Sequence, residues 1–167
     1  MALYHPMEDV NHCFFRMLLL ARHLEQATDI ETFRLMDFYC LFPSALSNIS
    51  LPRGFKKYKK IFNEIPSQFE PIPNKPALFE KLRHIQNNAL GCLVSLGFFD
   101  RSRFLAGVIL LSDQPVPENL STKMLLAPIT GEKWFKFLTQ DMPHIPAEGT
   151  GGWKARTNLS EFRYDVL

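Results

Sequence analysis

Residues 76–112 read PALFEKLRHIQNNALGCLVSLGFFDRSRFLAGVILLS. Leu78, Leu82, Ile85, Ala89, Leu93 and Leu96 step by three or four residues, which places them in one apolar stripe along a helix. Lys81, Arg83, His84, Gln86, Asn87 and Asn88 fall on the opposite face. Gly97 follows the last periodic residue and can take the left-handed conformation that ends a helix without a Cβ penalty. Phe98 and Phe99 are then expected to bury against the helices. Asp100 to Arg103 suit a polar tip before the apolar strand Gly107-Val108-Ile109-Leu110-Leu111. One long helix, a glycine stop and a strand make up the back half of a winged helix. The expectation is a mostly α fold with a small β element: a winged-helix-like single domain. A helical bundle with one hairpin would share much of this pattern.

The N-terminal side agrees with a helical fold. Asp9 can cap a helix in which Val10, Cys13, Phe14, Met17, Leu18, Ala21 and Leu24 share one face. Phe15, Leu19 and Leu20 lie off that stripe and are also apolar, so this helix is central or shared with a partner. Thr28-Asp29-Ile30-Glu31 matches a capping box for a second helix running to about Phe42. Pro43 stops that helix or opens a short further turn through Ile49. Leu51-Pro52-Arg53-Gly54 reads as a turn, and 56–65 as a short basic helix. Four of the twelve prolines fall in 66–76, which predicts an ordered, irregular connector pinned by Phe69 and Ile72. Beyond Pro115 and Pro117, helical stretches are expected over 118–126 and 131–140, the latter with Trp134, Phe135 and Leu138. From Pro143 the period is lost. The reading therefore divides the chain into a helical domain, 1–142, and a weakly structured tail, 143–167. Trp153, Phe162 and Tyr164 are unusual for a solvated tail and mark it as a candidate partner-binding segment, docking on the body or on another chain.

Composition narrows the function classes. The chain has 167 residues, an apolar fraction of 46%, a charged fraction of 22% and a net charge of +2, so any electrostatic argument must be local. The N-terminus shows no basic region followed by an apolar run and a cleavage site. Its longest apolar run, 17–21, falls far short of the roughly 20 residues of a membrane span. The expected setting is cytoplasmic. Cys13, Cys40 and Cys92 lack metal or redox spacing and read as three buried, reduced thiols. The five histidines have no ligand spacing, no nucleophile elbow is present, and Gly149-Thr150-Gly151-Gly152 lacks the lysine of a phosphate-binding loop. No catalytic residue, metal or cofactor is assigned.

The densest charge cluster is Arg53-Gly54-Phe55-Lys56-Lys57-Tyr58-Lys59-Lys60, five basic residues in eight with no acid. Arg53, Lys56, Lys57, Lys59 and Lys60 are candidate contacts for the phosphates of double-stranded DNA, with Phe55 and Tyr58 as interleaved aromatics. A solvated helix face or a dock for an acidic protein surface would look the same. On the long helix, Arg83, Gln86 and Asn87 are residue types able to reach base edges, though a plain polar outer face explains them better.

Several stretches resemble the middle component of ABC-three-component systems, the group that includes Lamassu-type anti-phage defence. They are Tyr4-His5-Pro6 with the helix through Cys13, Phe14, Arg16 and Leu18; Leu35-Met36-Asp37-Phe38-Tyr39 running into Leu41-Phe42-Pro43; Leu51-Pro52-Arg53-Gly54; Phe69-Glu70-Pro71; and Ile85-Gln86-Asn87 with Ala89-Leu90 before Gly97. Their order carries the resemblance, which covers residues 4–112. It implies a non-enzymatic accessory subunit that works with an SMC-like ATPase and an effector, often a nuclease. Such a subunit would sit on the ATPase heads as winged-helix accessory proteins do in chromosome-organising complexes. The resemblance carries over no catalytic residue. The other function class left open is a free-standing winged-helix DNA-binding transcriptional regulator, whose reader would be the polar face of the long helix.

Overall fold

The structure, a computed structural model, describes residues 8–67, 72 and 74–160. Asp9 opens the first helix, its Oδ1 accepting the Asn11 amide at 2.7 Å, and α1 runs Val10–His23. Cys13 and the whole run from Met17 to Ala21 are buried. This helix is enclosed on most sides, as its all-round apolarity requires.

A two-residue strand, β1 (Thr28–Asp29), leads directly into α2 (Ile30–Leu41). Asp29, rather than Thr28, caps α2: its Oδ1 accepts the Thr32 amide at 2.8 Å and its Oδ2 the Thr32 hydroxyl at 2.8 Å. Thr28 is held in the sheet instead, paired with Ile109, so the expected capping box does not form. After a 3-10 turn at Pro43–Asn48 come α3 (Tyr58–Asn63), α4 (Lys75–Lys81) and α5 (Arg83–Ser95). The helix expected to run unbroken from Pro76 is thus divided at Leu82, where ψ opens to −14°. The two halves serve different neighbours. Phe79 of α4 packs edge-on against Phe38 of α2, with ring centroids 5.8 Å apart, while α5 lies along α1.

Gly97 sits at φ 84° and ends α5 as expected, and Phe98 and Phe99 bury immediately after it. The expected polar tip is replaced by a helical turn, α6 (Arg101–Leu105). Asp100 caps that turn by accepting the Arg103 amide at 2.9 Å and the Ser102 hydroxyl at 2.9 Å. Gly107, at φ 86°, then releases the chain into β2 (Val108–Ile109). β2 pairs antiparallel with β1, in the register Thr28↔Ile109 and Asp29↔Val108. On its continuation, Leu111 bridges Phe99, with Asp100 N to Leu110 O and Ser112 N to Phe98 O both at 2.8 Å. The segment after α5 therefore folds back on itself and also joins the strand that precedes α2. That is a winged-helix-like connectivity with a helical turn at the tip. α7 (Glu118–Leu125) and α8 (Lys133–Lys136) follow, and α8 widens into a π turn at Phe137–Asp141.

The last described stretch does not trail away. Residues after Pro143 pack on the body as far as Ser160 through α9 (Trp153–Thr157). Trp153 is fully buried, its indole donates to Met142 O at 2.8 Å, and its ring stands edge-on to Phe137 at 5.9 Å. Ser50 N donates to Arg156 O at 2.9 Å, so α9 also clasps the segment that leads to α3. Gly152 makes the close approach possible: a Cβ there would lie 2.2 Å from the Glu148 carbonyl oxygen. The body thus extends across the boundary expected at 142. Of the expected connector anchors, Ile72 packs partly buried on the core, and Phe69 lies outside the described residues.

One polar cluster lies inside this apolar frame, where α1, α2 and α5 meet. Asp37, fully buried, accepts Arg16 Nε at 2.8 Å, Arg16 Nη2 at 3.3 Å and Gln86 Nε2 at 2.9 Å. Gln86 in turn accepts Arg34 Nε at 2.8 Å, and Arg34 reaches Glu31 with Nη1 at 3.0 Å. The Arg34 guanidinium also lies 4.5 Å from the centre of the Phe79 ring. Burial alone would strip the proton from Arg16 more easily, yet the Asp37 carboxylate outweighs it and raises its pKa.

The thiols follow from this packing. Cys13 is buried with its Sγ 3.7 Å from Asp37 Oδ2, and burial, reinforced by that carboxylate, pushes its thiol well above the usual range. Cys40 is only partly buried, short of the expected full burial, and desolvation raises its thiol as well. Cys92 departs from expectation: it lies on the outer face of α5 and is exposed. The native chain is expected to react with a bulky disulfide reagent at pH 8 at one thiol, and the denatured chain at three. Rapid reaction of all three in the native state would contradict the packing of α1 and α2.

Candidate nucleic-acid interface

The basic run is sorted into two faces by its aromatic residues. Phe55, Tyr58 and Phe62 are spaced by three and four, so they point the same way, and all converge on Phe137 of the π turn. Their ring centroids lie 6.1, 4.9 and 5.0 Å from it. A 3-10 turn, Arg53–Phe55, starts the run after the extended Pro52, with Phe55 N bonded to Pro52 O at 2.9 Å. With the rings turned inward, Arg53, Lys56, Lys57, Lys59 and Lys60 are all turned to solvent and exposed. Among the described residues none of the five meets a carboxylate within ion-pair distance.

The aromatics serve as anchors, which corrects the reading of Phe55 and Tyr58 as interleaved contacts. Tyr58 donates its hydroxyl to Asp141 Oδ2 and stacks on Phe62 at 5.7 Å. Burial and that hydrogen bond raise the phenol pKa well above its ordinary value, so it stays a neutral donor. The widened turn at 137–141 places Phe137 and Asp141 side by side against α3, a use of irregular helix often met where a surface must be shaped.

Two cations outside the basic run share this surface. Lys133 and Lys136 of α8 join Lys57, Tyr58, Ile61 and Gln140 around one cleft of about 300 Å³. Both are exposed, and among the described residues neither has an ion-pair partner. The helix expected over 131–140 is marked by Trp134, Phe135 and Leu138, and its lysines carry no expectation. The signal was present all the same: Lys133 and Lys136 are three apart, and Trp134, Phe135, Phe137 and Leu138 fill the buried side. Acidic groups lie on the other side of α3. Glu64 and Glu132 line a second groove of about 640 Å³ together with Lys133, over Ile61, Ile65, Ile129 and Trp134. Lys133 borders both clefts, so the positive surface meets the acidic one along α8.

The remaining candidates are placed as follows. Gln86 is fully buried and spent on Arg34 and Asp37, while Arg83 is tied to Glu80 at 2.8 Å and to Glu31 at 3.4 Å. Of the three base-reading candidates on α5, Asn87 alone is turned freely to solvent. Trp153 is enclosed in the body, which leaves no ring surface for a partner in this fold. Phe162 and Tyr164 lie outside the described residues. Among the described residues no three His, Cys, Asp or Glu side chains gather as a metal site would require, and no helix is long and apolar enough to cross a membrane.

Comparison with known proteins identifies the class. The profile of the ABC-three component (ABC-3C) system Middle Component 5 family matches residues 2–165. That span covers nearly the whole chain and runs well past the 4–112 on which the resemblance rested. The chain belongs to this family: it is a middle component of an ABC-three-component system. No curated protein and no solved structure shows significant similarity to it.

Proposed function

We propose that this chain is a non-enzymatic accessory subunit that joins the SMC-like ATPase of its three-component defence system to the effector. On this reading the effector is a nuclease, the system is of the Lamassu type, and the assembly works in the cytoplasm. The observation that carries the reading is the family match across 2–165, since a middle component has its role within a multi-subunit system. The surface supports it in two ways. Leu125 ends α7 and Leu126 follows it, 78% and 74% exposed, an apolar pair suited to a protein contact. Arg53, Lys56, Lys57, Lys59 and Lys60 offer unpaired cations for double-stranded DNA held by the same assembly. The engagement of Arg83 and Gln86 in internal bonds counts against a free-standing transcriptional regulator that reads bases through α5.

Co-expression with the products of the neighbouring genes is the test. The chain is expected to co-elute from a sizing column with the ATPase and with the effector, and Leu125→Glu with Leu126→Glu is expected to weaken one of those associations at least tenfold. A well-behaved monomer that co-purifies with neither neighbour would overturn the proposal.

A further inference from the structure

We infer that the phosphate-binding surface is bipartite: Lys133 and Lys136 of α8 act with Lys56, Lys57, Lys59 and Lys60 as one platform for the backbone of duplex DNA. This rests on the DNA-contact part of the proposed function and adds which residues complete it, and which form of nucleic acid it fits.

The platform is defined by geometry. Lys57 stands on one wall of the 300 Å³ cleft and Lys133 and Lys136 on the other, with α3 and α8 packed directly together. The two walls share a rigid base, because Phe55, Tyr58 and Phe62 all close on Phe137, immediately after α8. The backbone positions that carry these lysines are held relative to one another without needing a ligand to order them. Among the described residues none of the six is neutralised by an ion pair, and Asp141, behind Tyr58, is engaged with the phenol. Glu64 and Glu132 face the neighbouring groove, which Lys133 also borders, without coming within ion-pair distance of it.

The same packing selects the ligand. Proteins that hold single strands offer aromatic faces on which bases stack. Here every ring of the run packs toward Phe137, and the half-buried Tyr58, which borders the cleft, has Lys57 Nζ 5.4 Å over its ring. What remains outward is Arg53 and a set of amines, and the six platform lysines are point-charge donors without the planar fork that reads a base edge. Such a surface suits the regularly spaced phosphates of a duplex and reads no sequence.

The test uses the full chain, a fluorescein-labelled 30-bp duplex and anisotropy between 50 and 200 mM NaCl. Lys133→Gln with Lys136→Gln is expected to reduce the magnitude of the log–log salt slope by about 1.8, two contacts at ~0.9 each. Lys56→Gln with Lys57→Gln is expected to do the same. Lys81→Gln with Lys123→Gln, an equal charge change on α4 and α7, is expected to leave the slope unchanged. All these side chains are exposed, and thermal melts of each variant confirm that folding is intact. An unchanged slope for the α8 pair beside a reduced one for the α3 pair would overturn the bipartite site and leave the basic run standing. Equal loss in the Lys81/Lys123 control would show diffuse attraction and overturn it as well. Tighter binding of a 30-nucleotide single strand than of the duplex would overturn the duplex assignment. No binding of the duplex at all would remove both the bipartite site and the DNA contact beneath it.

Discussion

Replacing Asp37 by alanine is expected to cost roughly 3–5 kcal/mol of folding stability, since the change leaves buried cationic and amide groups uncompensated. Asp37 is fully buried and accepts four hydrogen bonds, two from Arg16, one from Gln86 and one from the Cys13 thiol. Its loss strands Arg16, only 11% exposed at its side chain, and frees Gln86, which orients Arg34. The ion pair itself is not the reason for the size of the effect. Two charges taken from water together roughly break even, whereas one left alone does not. The double variant Arg16→Met with Asp37→Leu should therefore cost less than Asp37→Ala, although it removes more polar groups. Urea unfolding followed by far-ultraviolet circular dichroism separates the cases. A single-variant loss below ~1 kcal/mol, or a double variant worse than the single, would show that the cluster is not what holds α1, α2 and α5 in register.

Trp153→Ala should remove a comparable ~3–5 kcal/mol, the usual range for a large buried aromatic truncated in a core. The ring is fully buried, touches Phe137 and supplies the hydrogen bond to Met142 O. Trp153→Phe keeps an aromatic ring but leaves that carbonyl without its donor, so a smaller loss of about 1–3 kcal/mol is expected. Limited proteolysis gives a second readout: in Trp153→Ala, cleavage should appear within 143–160 before the rest of the chain is cut. Should Trp153→Ala unfold at the wild-type urea concentration and resist protease in that segment, α9 would be an ornament on a body complete without it.

What the amino-acid order made legible was local. The Asp9 cap, the stop at Gly97 and the burial of Phe98 and Phe99 each depend on a residue and its near neighbours, and each is found where the pattern placed it. The errors arose where two local signals competed or a distant partner decided. Thr28 and Asp29 are both good caps, and the choice between them fell to Ile109, which claims Thr28 for the sheet from 81 positions away. Asp100 to Arg103 are polar enough for a tip, but an aspartate followed by a serine and an arginine is also a helix start, and the cap won. The 143–157 stretch has no period because it is held by single long-range contacts, Trp153 to Phe137 and Ser50 to Arg156, which leave no repeating trace. For the candidate interface the position of the basic run was visible, and the direction of its rings was not. That direction is set by Phe137, some eighty residues on, and it is also what brings Lys133 and Lys136 into the same surface.

The clasp between Ser50 and α9 has a consequence for when the protein becomes competent. Arg156 donates to Ser50 O at 3.2 Å and its own carbonyl accepts from Ser50 N, across 106 positions of chain. Contacts so distant in sequence close late, after the loop between them has been drawn in. A chain still being synthesised, or one cut short before residue 156, thus carries the lysines but not the finished frame that spaces them. α9 therefore closes the frame late: only a copy that runs through residue 156 holds Ser50 from both its amide and its carbonyl.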